Sequence, residues 1–133
     1  MLKIDHIGIA VRDMAASNEL FQKLLGEAHY KIENVESEHV ATSFFRIGES
    51  KIELLEATDP ESPIAKFIAK RGEGIHHIAF EVTDIHAEMA RLEGEGFIVL
   101  QPAPKRGADN KLVAFLHPKS SNGVLVELCQ EMG

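Results

Sequence analysis

Two histidines and two glutamates recur at matching places in this chain. His6 opens the run His6-Ile7-Gly8-Ile9-Ala10-Val11-Arg12-Asp13, and His77 opens His77-Ile78-Ala79-Phe80-Glu81-Val82-Thr83-Asp84. Four of the eight pairs are identical, the His, Ile, Val and Asp. Further on, Ile52-Glu53-Leu54 matches Val126-Glu127-Leu128. Two copies packed face to face, each giving one His and one Glu, would form a site of two imidazoles and two carboxylates. That donor set suits a divalent metal.

The repeat keeps its register. His6 and His77 are 71 residues apart, and so are Phe44 and Phe115, with Thr42-Ser43-Phe44-Phe45 set against Val113-Ala114-Phe115-Leu116. Glu53 and Glu127 are 74 apart, so the second copy carries three extra residues between Phe115 and Glu127. There His117-Pro118-Lys119-Ser120-Ser121-Asn122-Gly123 reads as a turn, and insertions are tolerated where backbone is solvated. Two copies make a duplicated module rather than a solenoid.

Either histidine alone would read as structural. Each, however, lies on the strand face opposite the apolar stripe, with small same-face neighbours: Gly8 and Ala10 for His6, Ala79 for His77. Small neighbours leave room above an imidazole, where core filling calls for larger ones. Glu53 and Glu127 stand in otherwise hydrophobic strands. A carboxylate there is costly unless it is exposed, paired or bound to a cation. The bland alternative is that both point to water.

Four such ligands leave two positions on a six-coordinate ion for water or for two substrate oxygens. A metal that chelates a dicarbonyl unit stabilises the enolate formed when the α-proton leaves, and nearby carboxylates can serve as the acid–base pair. Proton transfer next to a carbonyl is therefore expected. Redox oxygenation is less favoured, since those sites commonly use two His and one carboxylate.

The elements that must position these groups are legible in the patterning. Ile4 to Val11 alternates as a strand, followed by a helix of about a dozen residues that ends at Gly26, with Leu20, Phe21, Leu24 and Leu25 as its apolar stripe. Short strands follow near residues 29–36, 40–47 and 51–56, the last two joined by the turn Gly48-Glu49-Ser50. Ser62 and Pro63 start a helix over about residues 64–70. The order then repeats: a strand over 75–82, a helix over 84–93 with Ile85, Met89 and Leu92 inward, and strands near 97–100, 112–116 and 124–129. Each half thus reads βαβββ, with its helix covering one sheet face and the opposite face open. The expected fold is α+β: one domain over 1–133, with two tandem βαβββ modules forming a curled mixed sheet around a metal-binding cleft. Module 1 spans about 3–57, a linker and helix 58–72, and module 2 about 73–130.

Composition narrows the function. The length suits one compact domain with a real core. A net charge of −7 argues against nucleic acid as partner, and no apolar run reaches the length of a membrane span. One cysteine, Cys129, excludes an internal disulfide and fits a reducing compartment, so a cytoplasmic location is expected. Cys129 shares a strand face with Glu127 and reads as a small buried hydrophobe. His76 faces away from His77 and reads as structural or supporting; His29, His39, His86 and His117 receive no role. Lys105, Arg106, Lys111 and Lys119 read as a solvated loop, with an anionic ligand as the alternative.

In order along the chain, Asp5-His6-Ile7-Gly8-Ile9-Ala10-Val11, Lys51-Ile52-Glu53-Leu54-Leu55-Glu56, Ser62-Pro63-Ile64-Ala65-Lys66-Phe67, Gly72-Glu73-Gly74-Ile75-His76-His77-Ile78-Ala79-Phe80 and Phe115-Leu116-His117-Pro118-Lys119 through Gly123-Val124-Leu125-Val126-Glu127-Leu128 resemble the vicinal oxygen chelate (glyoxalase/bleomycin resistance) superfamily. Within it they are similar to the methylmalonyl-CoA epimerases over nearly the whole length. The resemblance implies interconversion of the C2 epimers of an acyl-CoA, methylmalonyl-CoA, through a metal-stabilised enolate. It implies His6, Glu53, His77 and Glu127 as metal ligands, Glu127 also as one catalytic base, and a homodimer. Cobalt or manganese is the first expectation for the ion, zinc or nickel the second.

The resemblance also implies a second acid–base carboxylate just before Val40-Ala41-Thr42. Straight alignment puts Ser37 there, in Glu36-Ser37-Glu38-His39, so Glu38 is expected to substitute by a small register shift, with Glu36 as the alternative. Where the family often has Gly-Ala-His-Gly-Lys, this chain has Gly107-Ala108-Asp109-Asn110-Lys111. The rival readings are a glyoxalase I-type isomerase acting on a hemithioacetal, and a metal-free binding module of the same superfamily. The Ser62–Phe67 segment favours the epimerase, and the complete ligand set argues against the binding module.

Overall fold

A computed structural model describes all 133 residues. In chain order the elements are β1 (Lys3–Ala10), α1 (Met14–Leu25), β2 (Lys31–Val35), β3 (Val40–Ile47), β4 (Ser50–Ala57), α2 (Pro63–Arg71), β5 (Gly74–Glu81), α3 (Ile85–Gly94), β6 (Lys105–Arg106), β7 (Lys111–Leu116) and β8 (Val126–Glu131). The βαβββ order occurs twice, with α2 between, and the fold is α+β. The chain gathers into two compact units, Ile7–His76, and Met1–His6 together with His77–Gly133. Both histidines of the repeat therefore belong to the second unit, and α2 belongs to the first.

In the unit Ile7–His76, β2, β3 and β4 form an antiparallel meander. Asp13 caps α1 by accepting from the Ala16 N–H at 3.0 Å, and Gly26 ends it at φ 82°, a conformation that favours glycine. Met14 and Asn18 are its buried residues, and Phe21 and Leu25 pack on Val11, Phe45 and Leu54. The expected stripe is thus corrected: Leu20 and Leu24 are 62% and 71% exposed. The spacing 14-18-21-25 follows one helix face. A polar Asn18 fits that stripe because the Ser43 hydroxyl donates to its Oδ1 at 2.6 Å. The opposite face of this module is not wholly open either. Ile64, Phe67 and Ile68 of α2 pack there on Ala10, Val40 and Leu55, since α2 too must bury an apolar stripe. Ser62 caps α2, accepting from the Ile64 N–H at 3.1 Å.

In the other unit, β5 and β8 run parallel, and β8–β7 and β7–β6 antiparallel, so the sheet is mixed. The Leu2 N–H donates to the Glu81 carbonyl at 2.8 Å, laying the first residues along β5. Ile85, Met89 and Leu92 of α3 pack on Val82, Ala114, Leu116 and Leu128, and Asp84 caps the helix through the Ala87 N–H at 3.1 Å. The strand expected near residues 97–100 shrinks to a single bridge, Val99 to Leu116, and the short strand β6 falls at Lys105–Arg106 instead. Pro102 and Pro104 lack the N–H that a continuing ladder needs.

The repeat is visible in the pairing itself. On β3 and β4, Phe44 lies opposite Glu53. On β7 and β8, Phe115 lies opposite Glu127. The three extra residues of the second copy are absorbed in the β7–β8 connection, where Pro118–Ser120 forms a 3-10 turn and Gly123 adopts φ 85°. No helix is long and apolar enough to cross a membrane.

Candidate metal centre

His6 and His77 are delivered by β1 and β5, and Glu127 by β8, where it lies beside Ala79 in the parallel register. Strand alternation gives Glu127 and Cys129 one face, and Val113 and Phe115 the same face of the neighbouring strand. That face is apolar below the site: Ala79, Val113 and Cys129 form a buried cluster with Phe115. The Phe115 ring meets the His77 imidazole edge-on, centroids 5.8 Å apart. Cys129 thus packs as the small hydrophobe its setting suggests.

Three donor atoms converge above this floor. His6 Nε2 and His77 Nε2 are 2.9 Å apart. Glu127 Oε1 lies 3.0 Å from His77 Nε2 and 3.6 Å from His6 Nε2. Burial opposes the charged form of Glu127, but hydrogen bonds from His6 and His77, and then their charge, outweigh it and lower its pKa from 4.5 to about 2. Glu127 is therefore a carboxylate at neutral pH.

Two ring nitrogens and a carboxylate oxygen can share a buried spot in two ways. Either the rings carry protons that Glu127 accepts, or all three donate to one cation. Neighbouring ligands about 2.1 Å from a common ion, at right angles, lie about 3 Å from one another. The spacing of these atoms, and their nitrogen and oxygen chemistry, fit a divalent cation.

Glu53 lies on β4 of the other unit. It is 4% exposed and Glu127 6%, so neither points to water and the bland reading of the pair fails. Glu53 shares a strand face with Leu55 and Ala57, which pack against the α2 cluster, and alternates with Ile52 and Leu54, which pack against the α1 cluster. Glu38 ends a 3-10 turn, Glu36–Glu38, just ahead of His39 at φ 55°. It is half-buried, whereas Glu36 and Ser37 are exposed. His76 packs edge-on against Phe67, ring centroids 4.9 Å apart, consistent with a structural role.

Lys111 is where sequence reasoning went furthest astray. Placed with Lys105, Arg106 and Lys119 in a solvated cluster, it is instead 4% exposed. Its Nζ donates to Asp5 Oδ1 at 2.6 Å, and Asp5 Oδ2 lies 2.7 Å from His6 Nδ1. The available signal was position: Lys111 begins an apolar strand, at the place where the first copy has Val40.

Comparison with known proteins identifies the family. The model for the Glyoxalase/Bleomycin resistance protein/Dioxygenase superfamily matches residues 5–115, and the chain belongs to that superfamily. More particularly, it is 42% identical over 127 residues to the mitochondrial methylmalonyl-CoA epimerase of Dictyostelium discoideum, covering 95% of this chain and 76% of that one. It is 44% identical over 131 residues to the ethylmalonyl-CoA/methylmalonyl-CoA epimerase of Cereibacter sphaeroides, covering 96% and 97%. Among solved structures, a variant of Streptomyces coelicolor methylmalonyl-CoA epimerase in complex with 2-nitronate-propionyl-CoA superposes with a TM-score of 0.95 at 37% identity, covering 100% of this chain and 99% of that one.

Proposed function

We propose that this protein epimerises methylmalonyl-CoA at C2 by abstracting and returning the α-proton, with one divalent cation held by His6, Glu53, His77 and Glu127. The observation that carries the reading is the convergence of His6 Nε2, His77 Nε2 and Glu127 Oε1 in a chain whose relatives are named for this reaction. Glu53 joins the set because it is buried, and because it occupies in its own strand pair the place that Glu127 occupies in the other. Cobalt or manganese suits the mixed imidazole and carboxylate set.

When bound, the cation supplies Lewis-acid stabilisation for negative charge developing on substrate carbonyl oxygens. The residues do the rest. Glu127, ionised at neutral pH, takes the C2 proton on one face of the substrate. Loss of that proton flattens C2 into an enolate. Glu38 returns a proton to the other face, which inverts the centre; in the reverse direction the two exchange roles. The apolar floor of Ala79, Val113 and Phe115 keeps the local dielectric low, which strengthens each electrostatic contact.

The test is exchange at C2. One methylmalonyl-CoA epimer incubated in heavy water should gain deuterium at C2, a chelator should abolish the gain, and added cobalt or manganese should restore it. Absence of exchange, with turnover of a methylglyoxal–thiol hemithioacetal instead, would assign the isomerase reaction.

A further inference from the structure

Behind His6 runs a buried chain of groups that the proton-transfer scheme does not use. Lys111 Nζ lies 2.6 Å from Asp5 Oδ1, and Asp5 Oδ2 lies 2.7 Å from His6 Nδ1. All three side chains are nearly inaccessible to water. Glu131, on the exposed side, is a more distant partner of Lys111 at 3.9 Å.

An ionised carboxylate is acceptor-only. Its contact with His6 therefore places a hydrogen on Nδ1, so a protonated imidazole turns its second N–H towards Glu127 and a neutral one presents the Nε2 electron pair that a cation would take. Nε2 is the atom that faces His77 and Glu127. The Lys111 ammonium pairs with the other oxygen of Asp5, in a place where an unpaired carboxylate would be costly.

The pair is not something the duplicated fold requires. At the 71-residue offset the counterpart of Asp5 is His76 and the counterpart of Lys111 is Val40. Those two serve packing: His76 against Phe67, Val40 against Ala10, Leu55 and Ile64. The same two positions are thus filled by packing contacts in one copy and by an ion pair in the other, and the ion pair sits behind His6.

We propose that Asp5 and Lys111 are positioning residues that fix the tautomer and orientation of His6 and so set the affinity of the centre for its cation. This deepens the function proposed above and rests on it for the cation, though not for the tautomer.

Two measurements test it. In nitrogen-15 NMR spectra of the metal-free protein, taken at a pH where the His6 ring is neutral, His6 should carry its hydrogen on Nδ1, and in Asp5→Asn that preference should weaken or reverse. In cobalt titrations followed by visible absorption, Asp5→Asn should bind about 10- to 100-fold more weakly than wild type. Lys111→Met should weaken binding in the same direction, with an unchanged far-ultraviolet circular dichroism spectrum. A wild-type His6 with its hydrogen on Nε2 overturns the proposal outright, even if neither variant folds. So does an Asp5→Asn protein that is folded and binds cobalt as tightly as wild type. If wild type binds no cobalt while His6 shows the Nδ1–H form, the metal reading fails, and with it the claim that the pair sets cation affinity; the Asp5–His6 link alone stands.

Discussion

His6 Nε2 and His77 Nε2 face each other across 2.9 Å, contributed by residues 71 positions apart that open the two copies of one repeat. Two imidazoles this close, with a carboxylate oxygen 3.0 Å from one of them, are stabilised only by protons or by a cation shared among them. The consequences differ for each residue around the site.

Glu127→Gln keeps shape and removes charge. In the proposed scheme it takes away both a ligand and a base, so kcat for epimerisation should fall by about 100-fold or more. The far-ultraviolet circular dichroism spectrum should be unchanged. A variant that keeps most of its kcat would remove Glu127 from the chemistry.

Glu38→Gln should lose activity clearly, about 10-fold or more, but far less than Glu127→Gln, because in the proposed scheme Glu38 moves a proton without holding the cation. Glu36→Gln, at an exposed position of the same turn, should stay within about twofold of wild type. A silent Glu38→Gln would place the second proton donor elsewhere.

Acid should act on the metal-free protein through Glu127. Burial alone would raise its pKa; hydrogen bonds from His6 and His77 lower it from 4.5 to about 2. A carboxyl whose folded value is depressed adds stability above its unfolded value and loses it as pH falls towards the folded one. Unfolding free energy from urea titrations should therefore decline from about pH 4.5 to about pH 2, and Glu127→Gln should flatten that decline. Equal slopes for the two proteins would contradict the assignment.

Core substitutions should separate stability from chemistry. Leu54→Ala beneath α1 and Leu128→Ala beneath α3 each empty a fully buried position and should cost about 2–5 kcal/mol. Asp13→Ala and Asp84→Ala each remove a helix cap and should cost about 1 kcal/mol. Denaturant unfolding measures both, and the cap variants should retain kcat.

Much of the candidate site was legible in the chain because duplication writes each position twice. The constant 71-residue offset, broken only after Phe115, pointed to His6, His77, Glu53 and Glu127. The paired registers Phe44–Glu53 and Phe115–Glu127 express that offset in the sheet. The helix start at Ser62 and Pro63 was equally plain, since capping is local chemistry. What escaped was tertiary. No spacing rule reveals that Lys111 turns inward to Asp5, or that Leu20 and Leu24 face water while Asn18 is buried. The departure from symmetry is itself informative, because Lys111 stands where the repeat has a valine.

Metal content tests the central claim most directly. After chelation and reloading with cobalt, the purified protein should hold one ion per chain. His6→Ala, Glu53→Gln, His77→Ala and Glu127→Gln should each weaken binding, the histidine variants by more than the roughly 10- to 100-fold that follows loss of an outer-shell partner. A wild-type chain that retains no ion, or four variants that all bind it as tightly as wild type, would contradict a centre built from these side chains.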